Sequence, residues 1–184
     1  MEEKKLVKVD LAAGLNKKGE DYIGIDYVKV DGIDIVHNLN TYPWPFEDNS
    51  VDELFCSHYV EHIPHDIFNP TDTRDGLIQF MDECYRILKP GGKLTIQVPF
   101  GSSIRAFQDP THRRFLFKES FYYFNKDWRD SVGVSHYGIK SDYDMVFSYF
   151  ITNEMTLKSQ EVRDIAFIHD WNVIDDLRIE LIKK

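Results

Sequence analysis

Leu6-Val7-Lys8-Val9-Asp10-Leu11-Ala12-Ala13-Gly14 is the stretch that decides the fold class. Residues 6–11 have the apolar content of a strand, and Ala12-Ala13-Gly14 ends it with side chains small enough for a ligand to approach the backbone closely. Gly14 can also take a positive φ. Outward from there, Tyr22–Asp26 reads as a second strand, Ile33–His37 as a third and Val51–Ser57 as a fourth. About ten residues separate Leu11 from Tyr22. That is too few for a full crossover helix, but enough to span the gap at ~3.3 Å per residue. Leu77, Ile78, Met81, Cys84, Tyr85 and Leu88 recur at helical spacing, so a helix is expected over 75–88. Pro90-Gly91-Gly92 stops it, and Leu94–Val98 follows as a fifth strand. Residues 100–144 read as irregular and rich in aromatics. Met145–Ile151 and Leu177–Ile182 are the last two strands, with a short helix around Val162–Ile168 between them. Strands interleaved with helices predict an α/β architecture, with a mostly parallel seven-stranded sheet and first helices that are short or missing.

The 184 residues are expected to form one domain, with a ligand-binding half over about 1–100 and a substrate lip, lid and C-terminal strands over about 101–184. Hydrophobic residues make up 42% and charged residues 29%, as in ordinary globular proteins. No apolar run approaches the ~20 residues that span a bilayer, and the N-terminus lacks a signal-peptide core, so a cytoplasmic location is expected. Cys56 and Cys84 stand in apolar surroundings with no CxxC pair, which argues for buried free thiols rather than a disulfide or thiolate zinc site. A net charge of −9 disfavours non-specific nucleic-acid binding. Residues 101–129, however, carry six Lys/Arg against three Asp/Glu, a local basic face in an acidic chain.

In an open parallel sheet ligands bind beyond the carboxyl ends of the strands. Asp10-Leu11-Ala12-Ala13-Gly14 and Asp26 both stand there. Asp26, on a strand end expected to face solvent, is placed to accept hydrogen bonds from two hydroxyls. Asn38 and Leu39 follow the third strand; an amide can both donate and accept along the edge of a base, and Leu39 and neighbouring aromatics can flank its ring. Tyr42-Pro43-Trp44-Pro45-Phe46-Glu47-Asp48-Asn49-Ser50-Val51-Asp52, Ser57-His58-Tyr59-Val60-Glu61-His62 and Leu88-Lys89-Pro90-Gly91-Gly92 complete the set.

These five segments, in this order over residues 6–100, resemble the small class I S-adenosylmethionine-dependent methyltransferases of the type 11 kind. The resemblance implies a Rossmann-like methyltransferase fold with S-adenosyl-L-methionine as cofactor. It also implies that Asp10, Ala12 and Gly14 wrap the methionine part, Asp26 the ribose, Asn38 and Leu39 the adenine, and that Ser57 and His58 floor the sulfonium. Ala12 and Asn38 depart from the usual glycine and aspartate.

Outside that half, Asp109-Pro110-Thr111-His112-Arg113-Arg114 reads as a substrate lip. His112 would orient or deprotonate a nucleophile, and Arg113 or Arg114 would hold an anionic group. The expected acceptor is an oxygen or nitrogen of a small molecule or of a modified nucleotide or sugar. No N-P-P-Y or Pro-Cys motif suggests base chemistry. Two other readings exist: a non-catalytic binding subunit of the same fold, and a zinc metallohydrolase using His58-Glu61-His62 as an H-x-x-E-H pattern. The latter needs a long helix, and Pro64 forbids one. The sequence leaves the oligomeric state open.

Overall fold

A computed structural model describes residues 5–66 and 74–184. Seven strands form one sheet: β1 Lys8–Leu11, β2 Ile23–Asp26, β3 Ile35–Val36, β4 Val51–Ser57, β5 Leu88–Pro99, β6 Tyr143–Ile151 and β7 Ile174–Lys183. The order is β3-β2-β1-β4-β5-β7-β6, with β7 antiparallel to both β5 and β6 and the other pairs parallel. This is the expected mostly parallel α/β sheet.

The connections after β1, β2 and β3 contain no helix at all. Backbone-to-carboxylate bonds do the work a helix would do. Asp10 accepts from the Lys18 amide at 2.7 Å, folding back the loop after β1. Asp34 accepts from the Gly24 amide at 2.7 Å, and its own amide donates to the Gly24 carbonyl at 2.9 Å. That close return explains the glycine: a Cβ at position 24 would stand 2.6 Å from the Gly32 carbonyl oxygen.

Helix α1, Gly76–Ile87, joins β4 to β5 and lays Leu77, Phe80, Met81, Cys84 and Ile87 on the sheet. Asp75 caps it by accepting from the Leu77 amide. Asn125, Thr152 and Ser159 do the same for the helices Lys126–Val132, Asn153–Thr156 and Gln160–His169. The strand after α1 starts at Leu88, so Pro90-Gly91-Gly92 lies within β5 rather than before it; Gly91 takes φ 77°. Both cysteines are free and buried, as their context suggested.

The stretch expected to be irregular is more ordered. It holds α2 Ile104–Gln108, α3 Lys118–Tyr122 and α4 Lys126–Val132. Each is too short to show periodicity in sequence, and each is stabilised by tertiary burial: Ala106, Phe121 and Arg129 are the buried members. Two more helices, α5 Asn153–Thr156 and α6 Gln160–His169, connect β6 to β7. Among the described residues no helix is long and apolar enough to cross a membrane.

Candidate functional site

The carboxyl ends of β1, β2 and β3 open onto a cavity of about 320 Å³ lined by Ala12, Asp26, Tyr27, Asn38, Leu39, Asn40, Tyr59, His62 and Pro64. Four of the sequence candidates, Ala12, Asp26, Asn38 and Leu39, thus meet on one wall. The backbone turns sharply here: Ala12 has φ 57° and Gly14 φ 52°. For Ala12, a non-glycine residue, that conformation is strained.

Asp26 is only 9% exposed, contrary to the solvent-facing strand end expected of it. One of its oxygens accepts from the Gly14 amide at 3.1 Å and the other from the Val28 amide at 3.2 Å. A carboxylate offers about four acceptor sites, so it retains capacity for hydroxyl donors while holding the first turn in place. Asn38 is exposed and accepts from the Asn40 amide at 3.0 Å, and Tyr59 donates to Asn40 Oδ1 at 3.1 Å, closing the opposite wall. An acceptor carboxylate, a free amide edge, a buried leucine and two tyrosine rings suit a nucleoside. The residues present therefore fit S-adenosylmethionine.

Asp10 and Gly14 stand behind this wall rather than on it. Asp10 is 3% exposed, and burial pushes its carboxyl up to about 6 against the Lys18 contacts that lower it. Ser57 closes β4, and His58 follows with φ 53°. That turn aims the His58 ring away from the cavity, between two buried carboxylates: Nε2 lies 3.5 Å from Asp176 and Nδ1 3.3 Å from Glu61. Asp176 and Glu61 together push the imidazole up to about 9.

The lip lies across the turn Val60–His62. The Arg113 and Arg114 amides both donate to the Glu61 carbonyl, at 2.7 and 3.2 Å. His112 Nδ1 bonds the Ala106 carbonyl at 2.9 Å, and Nε2 points toward Glu61 and Asp109, 4.0 Å from each. Arg113 is exposed, and among the described residues no hydrogen bond or ion pair holds its side chain. Arg114, also considered for anion binding, is instead buried and committed to structure. It donates to the Ile63 and Pro64 carbonyls and pairs with Asp75.

The zinc-peptidase pattern does not form. Glu61 and His62 lie in a single 3₁₀ turn, not a longer helix, and His58, ahead of it, faces Asp176. The three donors that do converge are Glu61, His62 and His112, with ligand atoms within 4.8 Å of one another. The pairing of His112 with Glu61 and His62 spans some fifty residues, and no local sequence signal announces it. Tyr27, Asn40, Tyr59 and Pro64 also escaped the sequence reading, because they reach the cavity only through the turns that follow β2, β3 and β4.

The methyltransferase domain family model matches residues 4–96, just over half of the chain. No curated protein matches significantly. Among solved structures, the chain is similar to a SAM-dependent methyltransferase from Archaeoglobus fulgidus. The two share 21% identity over 97% of this chain and 86% of that one, with TM-score 0.64. It is also similar to a SAM-dependent methyltransferase from Thermotoga maritima, at 14% identity over 97% and 82% with TM-score 0.57. A third similarity is to phosphoethanolamine N-methyltransferase 2 of Haemonchus contortus in complex with S-adenosyl-L-methionine, at 15% identity over 97% and 48% with TM-score 0.51. With the strand order, the strand-end cavity and the family match in agreement, the chain belongs to the methyltransferase domain family, the class I S-adenosylmethionine-dependent methyltransferases.

Proposed function

We propose that this protein transfers the methyl group of S-adenosylmethionine, in line, to an oxygen or nitrogen of a small molecule or of a modified nucleotide or sugar. The observation that carries this reading is the cavity at the ends of β1–β3, whose wall of Ala12, Asp26, Asn38 and Leu39 continues through His62 to the lip bearing His112. The cofactor supplies an electrophilic methyl group on a sulfonium, so the protein's task is alignment, which by itself contributes several kcal/mol. Asp26 would accept from the ribose hydroxyls, while Asn38 and Leu39 would meet the adenine. The strained turn at Ala12 and Gly14 would border the methionine part, with Asp10 holding that turn from behind. The backbone turn at Ser57 and His58, rather than the His58 ring, would form the floor.

On the acceptor side His112 is the catalytic candidate. A carbonyl only accepts, so the bond to Ala106 puts the proton on Nδ1 and leaves the Nε2 lone pair facing inward. Nε2 is then the atom that orients the acceptor. Arg113, exposed and beside it, would hold an anionic group of the substrate.

Calorimetry with S-adenosylmethionine and S-adenosylhomocysteine tests the cofactor site; no binding of either overturns the reading. A cell-extract screen for transferred labelled methyl identifies the acceptor. With it, His112→Ala and Arg113→Ala are expected to lower single-turnover rate at least tenfold while leaving cofactor affinity within about twofold. Equal losses of rate and affinity would reduce residues 109–115 to a structural role.

A further inference from the structure

We propose that Glu61, His62 and His112 hold a divalent first-row metal ion at the acceptor end of the cavity, and that the acceptor is a hydroxyl compound bound through it. The ion site stands on its own geometry; the acceptor class rests on the methyl-transfer reading.

Three independent features point to the ion. First, the donor atoms already converge within 4.8 Å. Donors each ~2.1 Å from one tetrahedral ion stand ~3.4 Å apart, so the cluster closes when its widest pair, 4.8 Å at most, draws together by about 1.4 Å. Second, Glu61 is 1% exposed, and neither carboxylate oxygen has a hydrogen-bond partner among the described residues. His58 Nδ1 stands 3.3 Å from Oε1 as an ion-pair partner, so Oε2 is the oxygen left with neither a hydrogen bond nor an ion pair among the described residues. Buried carboxylate oxygens are rarely left this way, and an ion satisfies them. Third, outer hydrogen bonds prepare both imidazoles as ligands. Asp109 Oδ1 accepts the Thr111 hydroxyl proton at 2.7 Å, so Thr111 Oγ1, 3.0 Å from His62 Nδ1, accepts a proton carried by that nitrogen. The Ala106 carbonyl does the same for His112 Nδ1 at 2.9 Å. Each ring thereby keeps a lone pair on Nε2. Metal-binding histidines are oriented by outer partners in this manner.

The donor set narrows the ion. Two imidazoles and one carboxylate suit Mn²⁺, Fe²⁺, Co²⁺ or Zn²⁺ better than Mg²⁺ or Ca²⁺, which prefer all-oxygen sites. The Glu61 carbonyl bonds to the Arg113 and Arg114 amides fix the two halves of the site to each other. Three protein donors on one side leave coordination positions open. Because His62 also lines the cavity, those positions lie at its rim. An ion there selects an oxygen acceptor: it lowers the hydroxyl's pKa, and a second oxygen on the same molecule chelates it. In the transfer, the hydroxyl proton leaves to water and the oxygen forms its bond to the methyl carbon. The carbon–sulfur bond breaks with its electron pair kept by sulfur. The products are a methyl ether and S-adenosylhomocysteine.

The test titrates chelator-treated full-length protein with Mn²⁺, read by electron paramagnetic resonance, and with Co²⁺, read by visible absorption. One ion per chain is expected. Glu61→Gln, His62→Ala and His112→Ala should each weaken binding at least tenfold and erase the Co²⁺ bands. Thermal melts identify folded variants; Glu61→Gln, which replaces a buried charge with an isosteric amide, should fold without metal. Absence of saturable binding of both ions overturns the proposal, as does binding retained within twofold in all folded variants. S-adenosylmethionine affinity measured on the same samples separates the two conclusions. Cofactor bound without metal removes the ion site alone; metal bound without cofactor removes the methyl-transfer reading alone. In the extract screen, a methyl ether product that disappears on adding chelator supports the acceptor class, and an N-methyl product indifferent to chelator overturns it.

Discussion

At the scale of single residues, the first turn combines strain and a buried charge. Ala12 sits at φ 57°, a conformation that costs a non-glycine residue about 1–2 kcal/mol. Ala12→Gly relieves that strain but frees the unfolded chain by about 0.4–1 kcal/mol. The variant is therefore expected to be as stable as the parent or up to ~1.6 kcal/mol more so, by urea denaturation, with cofactor affinity kept or improved. A loss beyond tenfold, ~1.4 kcal/mol, would mean that the Ala12 methyl group is itself part of the binding wall. Asp10 makes a pH-dependent prediction. Its folded value, about 6, lies above the usual carboxylate range because of burial. The neutral form is the one the fold prefers, so its contribution is fully present below pH ~4 and is lost as pH rises toward 6. Asp10→Asn keeps an acceptor for the Lys18 amide and cannot ionise. Relative to the parent it should gain stability between pH 4 and 7, by about 2 kcal/mol; an unchanged difference across that range would show that Asp10 ionises freely in the fold.

Among elements, the loop from Asn38 to Val51 and helix α1 depend on each other. Glu83 Oε1 accepts from the Trp44 amide at 2.6 Å and from Arg86 Nη2 at 2.7 Å, while Arg86 also donates to the Trp44 and Phe46 carbonyls and to Asp48. Trp44 Nε1 donates to the Leu39 carbonyl, and its ring meets Phe80 edge-on. The P-x-P-F-x-D stretch that resembled a family motif is thus a clamp that positions Leu39 on the cavity wall. Glu83→Ala leaves a buried amide and a guanidinium short of partners, and is expected to cost about 2–3 kcal/mol in urea denaturation and to weaken cofactor binding as well. Stability lost with binding intact would show that Leu39 keeps its place without the clamp. The helix was legible because α1 repeats its apolar positions over three turns; the clamp was not, because Glu83 and Trp44 are 39 residues apart. The short helices α2–α4 were missed for a related reason. At five to seven residues they are held by neighbours rather than by their own periodicity.

For the whole molecule, the lobe that binds cofactor is built mostly from loops closed by carboxylates, so ligand binding should reinforce it strongly. At a hundredfold excess over the dissociation constant, S-adenosylmethionine should stabilise the fold by ~2.7 kcal/mol, raising Tm by about 5–11 °C for a chain of this size. Asp26→Ala should lower the starting Tm, since Gly14 and Val28 lose their acceptor, and should abolish most of the ligand-induced rise. A full rise in the variant would remove Asp26 from the binding wall. The mostly parallel seven-stranded sheet and the meeting of Ala12, Asp26, Asn38 and Leu39 at the strand ends could be anticipated from sequence. They depend on local patterns: apolar runs, small residues at turns and acidic strand ends, all within the first hundred residues. What only the tertiary structure decided is the arrangement of the proposed acceptor side. The loop after β5 crosses the turn after β4 through the Glu61 carbonyl, which brings His112 to Glu61 and His62 and commits Arg114 to the Ile63 and Pro64 carbonyls. The physical reason is that these contacts join segments some fifty residues apart, whose pairing is set by packing and buried hydrogen bonds rather than by any spacing along the chain.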